Sequence, residues 1–172
     1  KYMQSIYFVD SNFTYESSKK SILSIRYATD GFSFCVHDET EKLVVFVHEP
    51  YAADSREAVV AKLKNYVVND TILNLRFKKV YIMPCFKEKL LVPGAFFDKA
   101  NITTLYTVNQ EVSPDDTILY HHIEGIEAYL VETVISSFHD FVREHFPVVQ
   151  IVNGAYPFIL GAMSKALRDT EQ

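Results

Sequence analysis

The chain has 172 residues, 48% hydrophobic and 23% charged, with 13 Phe, 11 Tyr and no Trp, a make-up that excludes a disordered or fibrous chain and suits one globular domain with a buried core. Its formal net charge of −5 argues against a general nucleic-acid surface, because affinity for phosphate backbones is built from clustered Lys and Arg, and the short pairs Lys19-Lys20 and Lys78-Lys79 are not such a cluster. Two cysteines, Cys35 and Cys85, point to reduced thiols in a cytoplasm rather than a disulfide framework; no apolar run approaches the roughly 18 residues that span a bilayer, and no basic-then-apolar signal pattern opens the chain.

In chain order, Ser21 to Tyr27 alternates apolar and polar residues, Asp30-Gly31 follows, and Phe32 to Val36 alternates again, which is the pattern of a hairpin with a tight turn. After the polar stretch His37 to Lys42, the run Leu43 to Val47 reads as a third strand, covered on both faces. Asp54 as a cap, Glu57 three residues on, and apolar Val59, Val60, Leu63, Tyr66 and Val67 predict a helix over 54–69. Lys79 to Pro84 reads as a buried strand, placed parallel to the first by a crossover.

A short strand is expected over 87–92, a Thr-rich helix over 95–107 and a loop over 108–116, where Ser113-Pro114-Asp115-Asp116 stands. Ile118 to Tyr120 and Ile126 to Val131 read as strands on either side of Glu124-Gly125. A helix over 133–145 follows, with Val134, Ile135, Phe138, Phe141 and Val142 on one side; then come a strand over 148–152 and a last helix from Tyr156 to Leu167. No repeat or low-complexity segment interrupts the chain.

A β-β-β-α-β-α-β-α order that opens on a meander resembles the ribonuclease H-like half-domain of the actin-like ATPases. The stretches SILSIRYATDGFSFCV, LLVPGAFFD and IEAYLVETVISSFHDFVREHFPVVQIVNGAYPFILGAM are similar to an uncharacterised bacterial domain-of-unknown-function family with this fold, typical of Bacteroidetes, and more distantly to pilus-assembly and type II secretion cytoplasmic proteins. The resemblance implies an α/β fold with a mixed sheet, a three-strand antiparallel meander followed by β-α-β-α units, in a single domain over 1–172. It also implies that this domain is the N-terminal half of a longer protein built from two such halves, with a nucleotide cleft completed at the hinge.

One departure bears on function. Actin-like ATPases carry an Asp in the first strand that orders metal and phosphates, and the corresponding stretch here, Ile25-Arg26-Tyr27, carries Arg26. A guanidinium cannot ligate Mg²⁺, although it can contact a phosphate directly. The fold is therefore carried over and no catalytic residue with it; Arg26 is the one cofactor-binding candidate.

Other constellations read as structural. His121 and His122, near Glu124 and Glu127, fall on opposite faces of an extended strand, and His139 and His145 stand six apart on a helix, so neither pair chelates one metal ion. Cys35 lies in strand alternation without an activating helix N-terminus or cation beside it; Cys85 follows Pro84 at a strand end, the end where open α/β sheets bind ligands, and reads as a loop thiol. No phosphate-binding glycine pattern surrounds Gly154 and Gly161. Asp38, Glu39, Glu41, Glu111, Asp115 and Asp116 fall in turns, where carboxylates cap and solvate; they do not form a nuclease array. The expected function is a non-catalytic protein-binding or scaffold module, with another protein as partner, no cofactor, no metal and no catalytic residue. The alternative is an ATP-dependent switch or ATPase that uses Arg26 and is completed by the second half. Tyr51 and Tyr156 are the aromatic residues expected at a binding surface.

Overall fold

The computed structural model describes residues 4–123 and 125–155. The chain divides into two compact units, Lys1–Phe86 with Ser137–Val152, and Lys87–Ser136 with Asn153–Gln172. The reading as one domain over 1–172 does not anticipate this division.

The first unit is built on a six-stranded mixed sheet. Its strands are β1 (Ile6–Val9), β2 (Ile22–Ala28), β3 (Gly31–His37), β4 (Leu43–Pro50), β5 (Lys79–Pro84) and, late in the chain, β9 (Val149–Ile151), in the order β1-β4-β3-β2-β5-β9. The expected meander is present: β2 pairs antiparallel with β3, and β3 with β4. The strand after the helix, β5, pairs parallel with β2, as the crossover requires, and β9 pairs parallel with β5. Two elements of this unit have no counterpart in the sequence reading: the edge strand β1, antiparallel to β4, and the short helix α1 (Tyr15–Ser18), which Thr14 and Ser17 close with a reciprocal capping box.

Period-two alternation sorts the sheet into two faces. On one, Leu23, Ile25 and Tyr27 of β2 lie beside Phe32, Phe34 and Val36 of β3, Val45 and Val47 of β4, and Val80 and Ile82 of β5, and all are buried. The helices α2 (Arg56–Asn69) and α4 (Ser136–His145) pack here: Tyr66 of α2 meets Phe32 edge-on at 4.5 Å between ring centroids, and Phe138 of α4 meets Tyr27 at 5.1 Å. The cap of α2 differs from the expectation. Ser55, in extended backbone, accepts the Ala58 N–H in place of Asp54, so the third helical position is Ala58 and no capping box forms with Glu57.

The second unit carries a three-stranded antiparallel sheet in the order β6-β8-β7, from β6 (Lys89–Pro93), β7 (Asp116–Ile123) and β8 (Ala128–Ile135). Here the sequence-predicted bounds shift. The helix expected over 133–145 begins only at Ser136, because Thr133, Val134 and Ile135 pair with Ile118, Thr117 and Asp116; a run of β-branched residues favours the strand. The helix expected over 95–107 divides into a 3₁₀ turn (Gly94–Phe96) and α3 (Ile102–Thr107). Between them Asp98 accepts the Ala100 N–H at 2.9 Å and the Asn101 side chain at 2.6 Å, a local bond that competes with helix. Val92, Ile102, Tyr106 and Val131 form this unit's core, with Phe97, Ile118, Tyr120 and Tyr129 against it. The last predicted helix, from Tyr156, lies outside the described residues.

Candidate functional site

In open α/β sheets ligands collect at the carboxyl ends of parallel strands, which in the six-stranded sheet are the ends of β2 and β5. Three segments meet there: the β2–β3 turn at Thr29-Asp30, the chain leaving β4 through Tyr51 to Ala53, and Cys85-Phe86 after β5. Backbone hydrogen bonds fasten them: the Tyr51 N–H donates to the Asp30 carbonyl (3.2 Å), the Ala53 N–H to the Thr29 carbonyl (3.1 Å) and the Cys85 N–H to the Tyr27 carbonyl (2.9 Å).

Gly31 explains the tightness. Its φ is +137°, and a Cβ there would stand 2.4 Å from the Glu49 carbonyl oxygen, closer than any side chain tolerates. The glycine of the Asp-Gly pair therefore admits the backbone of β4, and the positive φ falls at Gly31, the first residue of β3, with Asp30 outside the positive-φ set.

Arg26 projects from the sheet face opposite the helices, beside Ser33 on β3 and Met83 on β5. Its guanidinium is engaged: one Asp30 carboxylate oxygen accepts from both terminal nitrogens, at 3.3 and 3.4 Å. Both side chains are well exposed, at 38% and 59%, and a pair so placed is worth about 0–1 kcal/mol. Asp30 is thus a partner of the cofactor candidate as well as a turn residue.

Aromatic side chains fill the rest of this end. Tyr27 stands edge-on to Phe86, with 5.5 Å between centroids, and the Arg56 guanidinium lies 5.7 Å from the centre of the Phe86 ring. Tyr51 is half-buried beside Phe32, with the Lys62 ammonium 4.3 Å above its ring. Burial and, second, the negative charge of Asp30 push the Tyr51 hydroxyl up to about 12, so it stays a neutral phenol. Tyr51 is a packed residue with one accessible side rather than the centre of an exposed patch; Tyr156 lies outside the described residues.

The same face of the sheet carries a polar row and a thiol. The Ser33 hydroxyl and His48 Nδ1 are 2.8 Å apart. Cys35, paired in register with Ser24 and Phe46, lies 4.0 Å from His37 Nδ1. Burial pushes its thiol up, partly offset by a hydrogen bond with Ser24, the opposite of an activated nucleophile. Cys35 and Cys85 both stand outside any disulfide.

The remaining candidates are dispersed. His121 and His122 occupy opposite faces of β7, opposite Leu130 and Tyr129; His122 lies 3.6 Å from the Glu127 carboxylate. Burial, with Lys89 a second cause, lowers the His121 pKa. His139 accepts a hydrogen bond from Arg143, and His145 stacks on Phe141, so their spacing of six serves packing within α4. Asp38 and Asp116 cap turns through N–H groups of Thr40, Lys42 and Ser113. Among the described residues no group of three or more His, Cys, Asp and Glu is placed to hold a metal ion. Gly154 follows Asn153, whose side chain accepts the Ala155 N–H in a local turn; Glu124 and Gly161 lie outside the described residues. Sequence reasoning missed the Ser33–His48 pair, whose signal was cross-strand register and not spacing along the chain.

Residues 10–172 match the family described as protein of unknown function (DUF3822). The chain belongs to this family. Among solved structures, it is similar to a Bacteroides thetaiotaomicron protein with an actin-like ATPase fold and unknown function, at 24% identity and a TM-score of 0.79, over 89% of this chain and 59% of that one. This likeness establishes the fold, and the chain spans about 59% of that relative's length. The Argonaute of Marinitoga piezophila is also similar, at 11% identity over 70% of this chain and 24% of that one, with a TM-score of 0.29, too low to carry an argument. No curated protein matches. Family and fold thus agree with the sequence reading, and the family's function is unknown.

Proposed function

We propose that this DUF3822 member is a non-catalytic protein-binding module that keeps the actin-like fold without its phosphate chemistry. The observation that carries the reading is the closed β2–β3 turn: Arg26 stands in the first meander strand with Asp30 on its guanidinium, and the space beside Gly31 is taken by the Glu49 carbonyl. In a phosphate-binding turn, backbone N–H groups and a metal-ordering carboxylate face the ligand. Here the turn's glycine serves strand packing and its carboxylate serves an arginine. Half-buried Tyr51 under the exposed Lys62, and half-buried Phe86 under Arg56, at the same end, suit recognition of another protein, where aromatic and arginine anchors dominate affinity. The analogy with pilus-assembly and secretion proteins adds the idea of a protein partner. The proposed compartment is the cytoplasm, in keeping with two cysteines outside any disulfide; no helix among the described residues is long and apolar enough to cross a membrane.

The test combines two assays on the full-length protein. A photo-cross-linking residue in place of Phe86 is expected to give discrete protein adducts in cells, and purified protein is expected not to hydrolyse ATP. ATP hydrolysis at a rate lost in Arg26→Ala would overturn the reading in favour of a nucleotide-dependent switch.

A further inference from the structure

The connections from α2 to β5 and from α4 to β9 lead into the amino ends of two paired parallel strands, at the end of the six-stranded sheet opposite the β2–β3 turn. α2 stops at Asn69, and Asp70 starts a separate turn by accepting the Ile72 and Leu73 N–H groups, each at 2.8 Å. α4 stops at His145, and Pro147 follows two residues on. Residues of both connections line one cavity of about 470 Å³, within the roughly 300–1,000 Å³ of small-molecule sites. Its wall is Leu73, Phe77, Val80 and Phe146, all at 7% exposure or less.

Three lining residues carry polar side chains: Asn74, Arg76 and His145. Asn74 is spent on the fold, since its amide donates to the Val67, Val68 and Asp70 carbonyls and closes the end of α2. Among the described residues the side chains of Arg76 and His145 have no hydrogen-bond or ion-pair partner; the His145 ring packs on Phe141 and Phe146, at 5.7 and 4.6 Å between centroids. Positive charge gathers beside them. The Lys78 N–H donates to the Ser21 carbonyl at 3.0 Å, and the Ser18 hydroxyl to the Arg76 carbonyl at 2.9 Å, so Lys19-Lys20 and Lys78-Lys79, far apart in the sequence, flank Arg76. Glu16 holds Lys19 at 2.8 Å and Glu39 stands 3.9 Å from Lys20, while Arg76, Lys78 and Lys79 have no described carboxylate in ion-pair reach. The negative end of α4 is the opposing influence, and its Val142 carbonyl is already taken by the Phe146 N–H.

We propose that this cavity binds a small amphipathic carboxylate, with its alkyl or aryl body against Leu73, Phe77, Val80 and Phe146 and its two oxygens on Arg76. An apolar wall alone would accept any hydrophobe. A guanidinium without a protein partner selects a planar two-oxygen anion, which it holds by parallel hydrogen bonds, and the neighbouring lysines favour an anion over a cation. His145 adds a ring N–H whether neutral or protonated. The site lies at the other end of the strands from the β2–β3 turn and does not rest on the protein-binding reading, which stands whether or not this cavity is filled.

Octanoate, 1-octanol and octylammonium share one apolar body and differ in head group, so separate titrations of the full chain with each, followed through the backbone amide resonances of residues 73–80 and 145–148, test the site. Octanoate is expected to shift these resonances saturably and to bind about tenfold or more tighter than either analogue, the worth of a hydrogen-bonded charge. Arg76→Ala is expected to remove most of that preference. Val148→Glu, which sets a carboxylate at an exposed lining position, is expected to weaken octanoate and spare octanol. Shifts that do not saturate, equal affinity for the three compounds, or octanoate affinity unchanged in both variants would overturn the proposal. If Arg76→Ala fails to fold, Val148→Glu decides alone, and equal losses of octanoate and octanol in it count against a carboxylate site.

Discussion

The two faces of the six-stranded sheet come from the same strands and differ in almost every physical respect. Toward α2 and α4 stand Leu23, Ile25, Phe34, Val36, Val45 and Val47, at 0–1% exposure, with no polar atom to satisfy. On the opposite face Ser24, Arg26, Ser33, Cys35, His37 and His48 are half-buried and spend their polar groups on one another, through Ser33–His48, Arg26–Asp30 and the Cys35–His37 contact. One face carries stability and the other carries the residues that chemistry or recognition could use. Every strand residue weighed as a candidate in the meander, Arg26 and Cys35 included, falls on the second.

This contrast can be broken most severely with a matched pair of neighbours. Phe34→Ala on the helix-covered face is expected to cost about 3–5 kcal/mol in chemical denaturation. Ser33→Ala, one residue away on the other face, is expected to cost roughly 0.5–1.5 kcal/mol, the net worth of one hydrogen bond. Equal losses would mean that the two faces are not distinct in packing. Next in size, Gly31→Ala is expected to destabilise by about 1–3 kcal/mol, because its Cβ meets the Glu49 carbonyl at 2.4 Å in backbone with φ of +137°. A neutral result in thermal denaturation would show that β4 can withdraw from the turn, and so that the turn could open to a ligand.

The alternation that separates the faces was legible in the sequence, and with it the meander, the parallel placement of β5 and the length of α2. Less legible were features that depend on partners distant in the chain. β1 and its pairing with β4 span about forty residues, and nothing local in Ile6 to Val9 distinguishes an edge strand from an apolar tail. Thr133 to Ile135 carry apolar residues at spacings a helix also accepts, and only pairing with Asp116 to Ile118 decides for strand. In the candidate site, the place of Arg26 within the first meander strand was legible. Its engagement by Asp30 and the Glu49 carbonyl behind Gly31 were not, since both depend on how closely β4 approaches the turn.

Smaller effects sharpen the comparison. Arg26→Ala is expected to change stability by less than about 1 kcal/mol, as befits an exposed ion pair; a larger loss would place the guanidinium in the packing of the sheet. In the second unit, burial lowers the His121 pKa below its ordinary 6.5. The sign follows from linkage: as pH falls below 6.5, the unfolded chain takes up a proton that the folded chain resists, so stability declines through that window. His121→Phe is expected to flatten the decline in melting temperature between about pH 6.5 and 5, and an unaltered profile would assign the pH dependence to other groups.

The claim most exposed to refutation is that the β2–β3 turn no longer serves a nucleotide. The direct measurement is the melting temperature of the full-length protein with and without saturating Mg-ATP, since a ligand that binds only the folded state adds about 2.7 kcal/mol at a hundred times its dissociation constant. The account predicts no shift, in the wild-type protein and in Arg26→Ala alike. A clear rise in the wild-type protein that disappears in Arg26→Ala would contradict it and make Arg26 a phosphate ligand.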